Sequence, residues 1–149
     1  MLIGITAAVV LLIAASNVLN RFSHPAVPPG IVNGGLAPLP ETPNCVASQT
    51  DDPDRRMPPL PMGPDLKDPL RQIRTVVNSM PRTKTVTSDN QYLHVEFRSR
   101  LLGFIDDVEF LVDSNQQCIQ FRSASRIGHS DFGVNRARMR AIAAAVENM

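Results

Sequence analysis

The stretch TKTVTSDNQYLHVEFRSRLLGFIDDVEFLVDSNQQCIQFRSASR, residues 83–126, decides the fold, because its side chains alternate with a period of two. Leu93, Val95 and Phe97 alternate with Tyr92, His94, Glu96 and Arg98; Val108, Phe110 and Val112 with Glu109 and Leu111; Ile119 and Phe121 with Gln120 and Arg122. Thr83 to Thr87 is β-branched, which suits a pleated strand. Turn residues part the runs at Ser88-Asp89-Asn90 and Asp113-Ser114-Asn115. Four strands with short connections predict an antiparallel meander with one apolar and one polar face.

A helix is expected on each side of it. Asp68 reads as an N-cap with Pro69 at the first helical position; Leu70, Ile73, Val76 or Val77, and Met80 then form a stripe that Pro81 ends. The last helix begins near Asn135, with Met139, Ile142, Ala143 and Val146 on one face. Residues 44–49, NCVASQ, supply a further short strand. The expected fold class is therefore α+β: a two-layer domain with a four- to five-stranded antiparallel sheet and both helices on one sheet face, preceded by an N-terminal transmembrane helix.

That preceding helix rests on residues 2–19, LIGITAAVVLLIAASNVL, which run from Leu2 to Leu19 without a charge. As a helix they span roughly 27 Å, close to the hydrocarbon thickness of a bilayer. The alternative is a cleaved secretory signal, for which Ala14-Ala15-Ser16 offers small residues but no Lys or Arg precedes the apolar run. All 13 prolines lie between Pro25 and Pro81, and six of the seven aromatics from Tyr92 onward. Three zones follow: an anchor or signal over 2–20, a proline-rich tether over 21–64, and an α+β body over 65–149. Within the tether, Pro58-Pro59-Leu60-Pro61 is a crude match to a proline-rich peptide ligand.

The chain has 149 residues, 15 Lys plus Arg against 14 Asp plus Glu, and a net charge of +1, which excludes two large domains and a strongly basic nucleic-acid binder. Two cysteines, Cys45 and Cys118, permit one disulfide without requiring it. No metal site and no cofactor are expected, and no catalytic residue is assigned. His129, Ser130 and Asp131 are consecutive, which does not stack nucleophile, base and orienter, so the chain reads as more a binding module than an enzyme.

Arg136, Arg138 and Arg140 crowd the start of the last helix, where the positive end of the helix dipole favours acids. Something negative is expected there: either Asp131, Asp107 or Glu109 from within the chain, or a bound phosphate, sulfate or carboxylate. Arg98 and Arg122 share the polar face of the sheet with Tyr92, His94, Glu96 and Gln120. That face is either a binding surface or a solvated one with cross-strand ion pairs. Candidate binding residues are Arg98, Arg122, Ser125, Arg126, Ser130, Asn135 and Arg136, with Asp106, Asp107 and Asp131 as structural charge partners. Asp106 alternates inward from Val108 and Phe110, so an arginine partner is expected, among Arg100, Arg122 and Arg126.

Several blocks together resemble a known family. Pro43-Asn44-Cys45-Val46-Ala47-Ser48-Gln49, Tyr92 to Arg100, Phe104 to Phe110 and Arg122 to Arg136 are similar, in this order, to the bacterial and plastid domain of unknown function 1499, over residues 41–146. The resemblance implies a small domain behind a membrane segment or export signal and implies no activity. It matches Cys45 and not Cys118. On that basis the expected location is the bacterial inner membrane, single-pass, with a periplasmic body. The expected partners are the membrane, through residues 2–19, and an anionic small molecule or an envelope protein. An assembly factor of the cell envelope is the alternative, ahead of a hydrolase or thiol enzyme.

Overall fold

The structure, a computed structural model, describes residues 9–15, 18 and 23–149. Residues 9–15 and 18 are helical. Among the described residues no helix is long and apolar enough to cross a membrane, and the spanning helix expected over 2–20 lies largely outside them. The chain continues through β1 (Ile31–Val32), β2 (Gly35–Leu36), β3 (Cys45–Ala47), β4 (Leu60–Pro61), α1 (Arg71–Ser79), β5 (Thr83–Ser88), β6 (Tyr92–Arg98), β7 (Ile105–Asp113), β8 (Cys118–Ser125) and α2 (Val134–Glu147).

The fold is α+β, and its main sheet is antiparallel in the order β3-β8-β7-β6-β5. It has six strands rather than four to five. β3 pairs with Arg122 to Ala124 and β4 with Cys118 and Ile119, so two short strands share one edge of β8. β3 falls within the short strand expected over residues 44–49; the unexpected one is β4, two residues among prolines with no period to read. Leu60 is buried and paired in β4, so Pro58 to Pro61 is not a free proline-rich ligand. α1 begins later than expected, with Leu70 at its N-cap. Asp68 instead turns its carboxylate to Arg74, at 2.9 and 3.0 Å.

Leu93, Val95, Phe97, Val108, Phe110, Val112, Ile119 and Phe121 pack with Ile73, Val76 and Val77 of α1 and Met139, Ile142 and Val146 of α2. Burying a side chain of this size contributes about 1.5–3 kcal/mol, so this layer carries most of the folding free energy.

The polar face is not solvated. His94, Glu96, Asp107, Glu109, Gln120 and Arg122 are all buried. The cover of Glu109 and Arg122 comes from the segment expected to be an extended tether. Arg122 donates to the carbonyl of Val27 at 3.0 Å, the amide of Gly30 donates to Glu109 at 2.6 Å, and Leu36 and Ala37 are buried where β2 meets β7 and β8. The β1–β2 hairpin turns at Asn33-Gly34, with φ of +52° and +82°, the pair favoured in two-residue hairpins. Residues 27–37 thus form a strap across the sheet, opposite the helices. Alternation assigns residues to a face; it does not say what covers that face.

Cys45 and Cys118 are free thiols. Cys45 pairs with Ala124, and Cys118 lies six residues down the same strand, about 20 Å away and far beyond disulfide reach.

Candidate functional site

The strap closes over a cross-strand network of charges. Arg126 grips both carboxylate oxygens of Asp107 at 2.8 Å and reaches Glu96 at 2.7 Å. His94 meets Asp107 at 2.8 Å. Arg122 bonds Glu109 at 2.7 Å, and the Tyr92 hydroxyl donates to the same carboxylate at 2.7 Å. Arg98, half exposed, stands 3.8 Å from Glu96. Three arginines therefore meet three carboxylates, and the face is neutralised from within. Burial would push the Asp107 carboxyl up, but the hydrogen bonds from Arg126 and His94 and their charges hold it below the ordinary range. Burial and the Glu109 contact push the Tyr92 phenol well up, so it stays a donor.

A second network lies on the helix side. Asp106 pairs with Arg138, not with Arg100, Arg122 or Arg126. The reason is geometric: Asp106 faces the helices, while Arg122 and Arg126 face the strap. Arg138 also lies over the Phe97 ring, 4.7 Å from its centre, and donates to Asn135 at 2.7 Å. Asn135 is fully buried; its amide nitrogen donates to the Asn44 carbonyl, Ser125 Oγ and Asp131, at 3.0, 3.0 and 2.9 Å, and its oxygen accepts from Ser123 at 2.6 Å.

The anion expected at the start of α2 is Asp131 itself. It accepts from the amides of Gly133 and Asn135 at 3.1 and 2.8 Å. Although burial opposes it, these bonds hold the Asp131 carboxyl below its ordinary range. Asp131 thus caps a helix rather than pairing with an arginine. Ser130 accepts from the amide of Phe132 at 3.2 Å and is exposed. Phe132 is 95% exposed at φ +53°, a conformation that costs a bulky residue of order 1–3 kcal/mol.

The seven candidate binding residues therefore do not form one cluster. Arg122 lies under the strap and Arg126 on the same face of the sheet, Ser125 lies under α2 and Asn135 in its first turn, Ser130 in the preceding loop, and Arg98 at the end of β6. Arg136 lies on the surface, where it donates to the backbone carbonyls of Asp54 and Arg56. Cys45 is buried, its thiol donating to the Thr42 carbonyl at 3.1 Å; burial pushes it up more than Arg55 and Arg122 bring it down, which opposes thiolate chemistry. Among the described residues no group of three or more His, Cys, Asp or Glu is arranged to hold a metal ion.

A groove of about 330 Å³ lies between α2 and the segment entering β4. Met57, Leu60, Phe121, Met139 and Ala143 supply apolar lining, and Arg56, Arg136, Arg140 and Glu147 border it. Among the described residues no carboxylate stands within 4 Å of Arg136 or Arg140. Sequence reasoning found Arg136 from its misplacement on the helix dipole. It missed Arg56 and Met57, which reach the groove through the parallel bridge of Arg56 to Ala47.

Two helices on one face of an antiparallel sheet, a strap on the other and arginines matched by internal acids define a small α+β domain. The chain belongs to the family described as protein of unknown function (DUF1499), which matches residues 35–146 and so includes β2 of the strap hairpin. Neither a curated protein nor a solved structure matches the chain.

Proposed function

We propose that this chain is a membrane-anchored, non-enzymatic binding module of the bacterial cell envelope, with its body on the periplasmic side. Its ligand is an anion carrying an apolar portion, taken in the groove beside α2. The observation that carries this reading is that, among the described residues, neither Arg136 nor Arg140 has a carboxylate within 4 Å at the border of an apolar trench that Glu147 also lines, while Arg122, Arg126 and Arg138 are matched by acids. Apolar lining with a few polar groups at the edge is the usual composition of a small-ligand site. The anchor is supported by the uncharged run over residues 2–19.

Titration with hexyl phosphate tests the ligand reading. The wild-type chain binds it saturably, and Arg136→Ala with Arg140→Ala weakens binding about tenfold or more, the scale of a lost charge-assisted hydrogen bond. Equal binding by the double variant refutes it. Carbonate extraction of membranes tests the anchor separately, since an anchored chain stays in the pellet.

One observation favours an assembly role as a second reading: β5 is an open sheet edge, exposed from Lys84 to Ser88 and guarded by Lys84 and a bulge between Thr85 and Thr87. Under that reading Val86→Pro abolishes capture of an envelope partner, and the groove substitutions leave it intact.

A further inference from the structure

The β6–β7 connection, residues 99–104, and the loop from β8 into α2, residues 126–133, leave the sheet at the same end. Arg98 pairs with Ile105 across the base of the first, and the amide of Arg126 bonds the carbonyl of that same Ile105 at the base of the second. Each loop holds one large apolar side chain in water: Leu101 is 74% exposed and Phe132 95%.

The display of Phe132 is built. Ser130 Oγ accepts its amide, Asp131 pins the next residue and the start of α2, and Asn44 ties down the loop's other limb through the carbonyls of Ile127 and Gly128 at 3.4 and 2.8 Å. Inside this frame Phe132 is kept at positive φ, against its own preference, and no described part of the chain buries it.

The flanks are basic. Arg98 and Arg100 are exposed at the first loop, and Arg82, also exposed, donates to the Arg98 carbonyl at 3.2 Å. The acids nearby are engaged: Asp106 by Arg138, Asp131 by backbone amides, Glu96 chiefly by Arg126.

We infer that this end of the sheet docks on an anionic lipid surface, with Phe132 and Leu101 entering the boundary between headgroups and acyl chains and Arg82, Arg98 and Arg100 on the headgroups. Exposed apolar side chains ringed by arginine are the composition of interfacial membrane contacts, whose strength adds apolar burial to attraction for anionic lipid. This contact is distinct from the groove and does not depend on residues 2–19 spanning a bilayer.

The chain has no tryptophan, so Phe132→Trp in the full chain gives a single reporter of depth. Attachment through residues 2–19 alone does not bury it. On vesicles of brominated phosphatidylglycerol its emission shifts to the blue and is quenched; on brominated phosphatidylcholine it is not. Arg98→Ala with Arg100→Ala weakens the phosphatidylglycerol response about tenfold while circular dichroism is unchanged. Emission unmoved on both lipids, or quenched equally on both, overturns the inference. The first outcome leaves the loop to a protein partner; the second removes the arginines from it. Neither outcome bears on hexyl phosphate binding.

Discussion

Arg122 and Glu109 bond at 2.7 Å across β8 and β7 with 1% and 0% of their side chains exposed, which makes this pair the most enclosed of the charge contacts beneath the strap. The pair holds the strap as well as the strands, since Arg122 reaches Val27 and Glu109 accepts from Gly30. Removing one partner strands a buried charge, so Arg122→Ala lowers stability by about 3–5 kcal/mol. Arg122→Met combined with Glu109→Leu recovers part of that loss. Urea unfolding of the three proteins measures both effects.

Gly30 sits at φ +147°, a region L side chains rarely adopt, and its amide is a donor to Glu109. Gly30→Pro removes the donor and forces φ negative, which costs more than about 1 kcal/mol. The strap should then open first, read as faster proteolysis within residues 23–37 before global unfolding.

Asp107 is held below the ordinary carboxylate range by Arg126 and His94 against the opposing effect of burial. Its folded-state pKa lies below its unfolded one, so its contribution is present above the unfolded value and is lost as pH falls through the folded value. Wild-type unfolding midpoints therefore decline on the acid side of about pH 4, and Asp107→Asn gives a lower midpoint at pH 7 with a flatter acid decline.

Arg138, not a strand arginine, neutralises Asp106 and covers Phe97. Arg138→Ala thus costs about 3 kcal/mol or more, whereas Arg100→Ala, on the exposed loop, stays within about 0.5 kcal/mol of wild type. Thermal melts of the two variants separate the assignments.

Alternation in β6 to β8 and the stripes of α1 and α2 were legible because burial on one face imposes a period. β3 was legible only as a short apolar island at 44–49, and β4, two residues among prolines, was not. The sides of Asp106 and Arg122 follow from parity along their strands. Arg138 as the partner of Asp106 depends on how α2 is rotated above the sheet, which no local pattern records. The strap was hidden for a different reason: Pro and Gly exclude helix and long strand, but an irregular segment still buries charge when its backbone supplies the donors and acceptors, as Gly30 and Val27 do. In the site, Arg136 was legible as a broken helix rule, and the groove that gives it meaning was not.

Ligand binding in the groove is the step on which the proposed function turns. Methionine-methyl NMR of the full chain in zwitterionic nanodiscs, titrated with hexyl phosphate, reads it directly, because Met57 and Met139 line it. Saturable shifts of both methyl signals, lost in Arg136→Ala with Arg140→Ala, are expected. Unmoved Met57 and Met139 signals, or shifts that survive the double substitution, would contradict it.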